Sequence, residues 1–221
     1  MKLQAVLFDF DGTLVRSIDL LVEIFGLVLA EKKLPVVAPG ELRKLIGQPL
    51  IEIFQEITPV TDPVELADLE KRFREIEIGH NNAGEILPFA ETRPTLEFLQ
   101  KKHLRLGIVS TKRVEVVEKL ARELAIWDFF EVVIGRDLVA KPKPDPEPIL
   151  LACDKLGIAP RASLFVGDSL LDLQAAKNAG APFVGVLTGV CDRAEFEKNR
   201  ADYIFAHLGG LANLVREING N

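Results

Sequence analysis

The second half of the chain is what most constrains its fold. From residue 93 onward, short apolar runs alternate with amphipathic stretches of helical spacing. "RPTLEFLQKKH" predicts a helix and "LRLGIVST" a buried strand. "RVEVVEKLARELAI" and "FEVVIG" repeat the pair, as do "DPEPILLACDKLGI" with "SLFVGD" and "LLDLQAAKNAG" with "PFVGVLT". "DYIFA" predicts a last short strand ahead of "LGGLANLVREI". Strands separated by helices pair in parallel, and a parallel sheet buries both faces under those helices. The apolar run "AVLF" near the N-terminus adds a central strand. The fold class is therefore α/β, with a doubly wound parallel-sheet core.

Residues 16–85 break this rhythm. "SIDLLVEIFGLVLAEKKL", "APGELRKLIGQPLIEIFQEI" and "DPVELADLEKRFREIEIGHNN" all carry helical periodicity, the last with a proline near its start. They predict a small all-helical domain inserted after the first strand. The core is then residues 1–15 and 86–221, and the insert is 16–85.

Composition excludes several function classes. A formal charge of −6 argues against an electrostatic nucleic-acid binder. Cys153 and Cys191 have no paired spacing, which argues against a disulfide framework or a thiolate metal site. No apolar run reaches the roughly 18 residues of a membrane span, and the chain opens on a strand instead of a charged leader. The expectation is a cytoplasmic protein, monomer or homodimer, with neither nucleic acid nor membrane as partner.

The chemistry is expected at the strand ends, because ligands of open α/β sheets bind beyond the carboxyl ends of the strands. The first strand runs into Asp9-Phe10-Asp11, and another ends in Ser110-Thr111-Lys112. A third is followed shortly by Lys141, and a fourth ends in Gly167-Asp168-Ser169 with Asp172 a turn later. Each alone has a plain structural reading, as a turn, a helix cap or a solvated loop. Together they bring about four carboxylates to one crevice against Lys141 alone, and such a cluster repels any anion. A hard divalent cation resolves the conflict, and Mg²⁺ suits a few carboxylates, waters and a phosphate oxygen. Ser110, Thr111, backbone N–H groups and Lys141 are then placed to hold a phosphate. Asp9 is the candidate nucleophile. Asp11, two residues on, is the candidate acid/base.

"DFDGTL", "VST", "AKPKPDP" and "GDSLLDLQAAKNAG" resemble, in order and spacing, the four motifs of the haloacid dehalogenase superfamily. The insert resembles the helical cap of its phosphoglycolate phosphatase, β-phosphoglucomutase and small pyrophosphatase branch. The resemblance implies a Rossmann-like core with a mobile cap. It implies that Asp9 is the nucleophile, that Asp11 is the general acid/base, and that Ser110 and Lys141 bind the phosphoryl group. By the same resemblance, Asp9, the Asp11 carbonyl and Asp168 hold Mg²⁺, and Asp172 supports the metal shell. Family dehalogenases and phosphonoacetaldehyde hydrolases lack an Asp at the position of Asp11, so its presence favours P–O hydrolysis. The related hexose-phosphate mutases carry a His shortly after the first motif, where this chain reads Val15-Arg16-Ser17-Ile18-Asp19. The expected substrate is a small phosphorylated metabolite, with phosphoglycolate first. Inorganic pyrophosphatase is the alternative, and a sugar-phosphate mutase or a non-catalytic binding module stand further off. Gln48, in the Gly47-Gln48-Pro49 break of the insert, is the candidate cap contact to substrate.

Overall fold

The structure, a computed structural model, describes residues 2–82 and 84–220, without the side chains of Asn81 and Asn82. In chain order the elements are β1 (Ala5–Phe8), β2 (Val15–Arg16), α1 (Ile18–Glu31), α2 (Pro39–Leu45), α3 (Leu50–Ile57) and α4 (Pro63–Asn82). Then come β3 (Leu87–Pro88), α5 (Thr92–Lys101), β4 (Arg105–Val109), α6 (Val114–Glu123), β5 (Val132–Ile134) and α7 (Glu147–Lys155). The chain closes with β6 (Ser163–Gly167), α8 (Leu170–Ala179), β7 (Phe183–Val186), α9 (Arg193–Lys198), β8 (Tyr203–Phe205) and α10 (Leu211–Asn219).

Two compact units result, one of Met1–Arg16 with Pro88–Asn221, the other Ser17–Leu87. The first holds a six-stranded sheet in the order β5-β4-β1-β6-β7-β8, with every neighbouring pair parallel. Chain order and sheet order together define a switch point. The chain winds outward from β1 through β4 to β5, then returns to the other side of β1 and winds outward again from β6. Ligand crevices of doubly wound sheets lie at such a reversal, here between β1 and β6. Register aligns the two strand ends, since Phe8 partners Val166. All four residues of β1 are fully buried, as a central parallel strand requires. On one face Ala5, Leu7, Phe165 and Phe183 pack with Ile149 and Ala152 of α7 and Leu173 and Ala176 of α8.

The second unit is α1 to α4. Asp62 caps α4, its Oδ1 accepting from Val64 N at 2.9 Å and Glu65 N at 3.0 Å, with Pro63 as first helical residue. Phe25, Phe54 and Phe73 form its aromatic centre, the Phe25 ring lying 5.2 Å from Phe54 and 4.5 Å from Phe73. The predicted helices are present. The two-residue strands β2 and β3 pair as a separate small sheet, too short to leave a periodic signal in the sequence.

Candidate active site

Three of the predicted carboxylates converge at the switch point. Asp9 follows β1, Asp168 follows β6, and Asp172 lies in the first turn of α8. All three are buried, with carboxylate oxygens within 4.8 Å of one another. The lysine among them is Lys143, not Lys141. Lys143 Nζ donates to Asp9 Oδ1 at 2.7 Å, Asp172 Oδ1 at 2.6 Å and the Val109 carbonyl at 3.3 Å. Its three N–H groups thus tie the ends of β1 and β4 to the start of α8. The Lys141 side chain is 74% exposed and lies 4.0 Å from Asp145. This corrects the expectation for Lys141, and the loop shows why. The backbone N–H groups of Ala140 and Lys141 bind the Glu147 carboxylate at 2.9 and 2.8 Å, which turns the chain before Lys143 enters the site.

Each carboxylate has its own support. Asp172 Oδ2 accepts from Ser169 N at 3.1 Å and Ser169 Oγ at 2.6 Å, a reciprocal capping box that opens α8. With Oδ1 on Lys143, both Asp172 oxygens are engaged, which suits a supporting role. Asp168 Oδ2 accepts from Val190 N at 2.8 Å, and its Oδ1 accepts from Thr13 Oγ1 at 3.3 Å. Thr188 Oγ1 donates to the Gly12 carbonyl at 2.6 Å. The loop after β7 therefore clamps both the first motif and Asp168. Two glycines make this approach possible. Gly12 has φ +72°, and a Cβ there would lie 2.5 Å from Asp168 Oδ2; at Gly189 it would lie 1.8 Å away.

Burial pushes the Asp9 carboxyl up to about 7, against the pull of Lys143 and with a further push from Asp172. Burial likewise raises Asp168 well above the carboxylate range, reinforced by Asp9 and Asp172. Lys143 is held protonated, because Asp172 and Asp9 outweigh the burial that opposes its charge. With all three carboxylates ionised, one ammonium would leave about two negative charges without a counter-charge. Asp9 Oδ2 accepts no hydrogen bond among the described residues. An all-oxygen donor set with an excess of carboxylate charge fits a hard divalent cation.

Asp11 stands apart from the three. Its Oδ2 lies 3.3 Å from Lys112 Nζ, at the end of β4. Ser110 is buried, its N–H bonded to the Ile134 carbonyl at 2.9 Å and its Oγ accepting from Lys112 N at 3.1 Å. Thr111 is half-buried beside it. Gln48 belongs to the helical unit, in the turn from α2 to α3 where Gly47 has φ 105°. Sequence reasoning set Lys112 at its strand end without a role, and missed Lys143, Thr13 and the loop of Thr188, Gly189 and Val190. The glycines of "DGT" and "TGV" were the available signal for the last two.

Comparison with known proteins decides the family. Residues 6–186 match the haloacid dehalogenase-like hydrolases. The chain belongs to that family. It is 30% identical over 218 residues to the pyrophosphatase PpaX of Listeria welshimeri, covering 98% of each chain. It is 33% identical over 235 aligned positions to the phosphoglycolate phosphatase of Escherichia coli, covering 95% of this chain and 91% of that one. Among solved structures, a hydrolase from Pseudomonas syringae superimposes with a TM-score of 0.87 at 25% identity, covering 97% and 99% of the two chains. The chain is accordingly a haloacid dehalogenase-type hydrolase with phosphatase relatives along nearly its whole length.

Proposed function

We propose that this hydrolase is a Mg²⁺-dependent phosphatase of small phosphorylated metabolites, acting through a phosphoaspartate on Asp9, with phosphoglycolate as its first substrate. The observation that carries the reading is the Lys143 bridge between Asp9 and Asp172 beside Asp168, at the sheet's switch point. Asp9, Asp168 and the Asp11 carbonyl would hold Mg²⁺, with Asp172 supporting them. The ion would supply positive charge to the phosphoryl oxygens.

The chain's own residues account for the remaining steps. Lys143 holds Asp9 by Oδ1 and favours its ionised form, which leaves Oδ2 as the attacking atom. Ser110 and Thr111, with the N–H groups of their loop, cradle the phosphoryl oxygens. As the Asp9–phosphorus bond forms and the ester P–O bond breaks, Asp11 gives its proton to the leaving oxygen. Asp11 then takes a proton from the water that attacks the phosphoaspartate, which frees phosphate and restores Asp9.

A second reading, hydrolysis of inorganic pyrophosphate, is favoured by the near end-to-end alignment with the Listeria pyrophosphatase. One screen separates the two. Purified protein is assayed for phosphate release from phosphoglycolate, other small esters and pyrophosphate, with Mg²⁺ and with EDTA. The reading expects kcat/KM highest for phosphoglycolate and activity lost in EDTA. A clear preference for pyrophosphate moves the assignment to the second reading. Turnover that survives exhaustive chelation, or none on any substrate, overturns both.

A further inference from the structure

We propose that Lys112 is a positioning residue for Asp11, holding its carboxyl group where the leaving oxygen departs. The inference rests on the acid/base role given to Asp11 above. Lys112 Nζ lies 3.3 Å from Asp11 Oδ2, and both side chains are largely buried, 9% and 13% exposed. Lys143 is no substitute, because its donors go to Asp9, Asp172 and the Val109 carbonyl.

The backbone of Lys112 is pinned at both polar atoms. Its N–H donates to Ser110 Oγ at 3.1 Å, and its carbonyl accepts from Arg136 N at 2.9 Å. A Cβ on Gly135 would lie 2.7 Å from that carbonyl, so a glycine is needed for the approach. The phosphate loop is thereby fixed by the end of β5, and the lysine leaves it from a rigid base. Burying an ammonium costs solvation that a solvent-facing lysine keeps. An aspartate side chain turns about two torsions, and a fixed cation beside its carboxylate favours one orientation. General acid catalysis depends on that orientation, because the donor must lie within hydrogen-bond reach of the oxygen it protonates.

The consequence is specific. A basic alkoxide needs the Asp11 proton as its bond to phosphorus breaks, whereas p-nitrophenolate departs without one. Loss of Lys112 therefore penalises alkyl esters more than aryl esters. The test compares kcat/KM for glycerol phosphate and p-nitrophenyl phosphate in wild type, Lys112→Met and Lys112→Arg, with thermal melts run alongside. Because kcat/KM reports only steps up to the first phosphoryl transfer, slower hydrolysis of the phosphoaspartate does not mask the result. Lys112→Met should lower the alkyl-to-aryl ratio of kcat/KM at least tenfold, and Lys112→Arg should recover most of it. In an Asp11→Asn background, Lys112→Met should leave the ratio where Asp11→Asn alone puts it. Equal losses on both esters, or a further tenfold change in the Asp11→Asn background, would overturn the inference and leave the phosphatase reading standing. A wild type inactive on both esters and on phosphoglycolate would overturn the two together. If Lys112→Met fails to fold, Lys112→Gln and the Asp11→Asn pair carry the same comparison.

Discussion

Lys143 and Lys141 both precede a proline in the same loop, yet their substitutions should behave very differently. Lys143→Met removes an ammonium that is 4% exposed and makes bonds of 2.7 and 2.6 Å to Asp9 and Asp172. Breaking a buried pair by deleting one partner costs ~3–5 kcal/mol, because the other charge stays buried without compensation. The cost should depend on pH. Asp9 already titrates at about 7 with Lys143 beside it, and without that cation its carboxyl moves higher still. At pH 8 the metal-free variant either buries bare carboxylates or takes up protons, and it should lose the full ~3–5 kcal/mol. At pH 5 Asp9 is neutral in the folded state, so only the Asp172 pair is still broken at full cost and the loss should be smaller than at pH 8. Urea melts in EDTA at the two pH values measure the difference. Lys141→Met, on a side chain 74% exposed, should stay within ~0.5 kcal/mol of wild type at both, with kcat/KM for the best substrate within about threefold. Equal losses at pH 5 and 8 for Lys143→Met would refute the charge argument. Loss of activity in Lys141→Met matching that of Lys143→Met would refute the assignment of the site lysine.

Three further outcomes are expected. Asp9 and Asp168 have folded-state values raised above their ordinary ones, Asp9 to about 7, so the Asp9 contribution to stability is full below about pH 4 and falls as pH rises through about 7, and the Asp168 contribution likewise falls as pH rises. Asp168→Asn removes one of those penalties and still offers an acceptor to Val190 N, so in EDTA at pH 8 it should melt no lower than wild type while turnover falls at least about hundredfold; a clearly lower melt would contradict this. Gly189→Ala puts a Cβ where Asp168 Oδ2 stands, and it should raise the Mg²⁺ concentration for half-maximal activity at least about tenfold; an unchanged metal titration would mean that the loop yields freely. Gln48→Ala should lower kcat/KM for the best small substrate by about tenfold while p-nitrophenyl phosphate falls by no more than about threefold; equal changes would make the turn a plain helix connection.

The sheet was legible because its strands are short, apolar and separated by helices of clear periodicity. The meeting of Asp9 with Asp168 was legible for the same reason, since a doubly wound order sets the ends of β1 and β6 side by side. The choice of lysine was not. In "AKPKPDPEP" the two candidates are two residues apart, a spacing that puts both side chains on one side of an extended segment. What separates them is the Glu147 carboxylate capping the preceding N–H groups, a contact with no periodic signature. The Lys112 pair with Asp11 and the Thr188 bond to Gly12 join residues about a hundred or more positions apart, and only the fold brings them together. Gly12 and Gly189 advertised tight places, but no local pattern indicates that both press on Asp168.

The central claim is a covalent phosphoryl group on Asp9. Wild-type protein is mixed with labelled substrate and Mg²⁺, quenched in acid within one turnover, and mapped by peptide mass. The account predicts one hydroxylamine-labile phosphoryl group on the peptide holding Asp9, absent in Asp9→Asn, whose kcat should fall more than about hundredfold. Label on Ser110, or full turnover by Asp9→Asn, would contradict it.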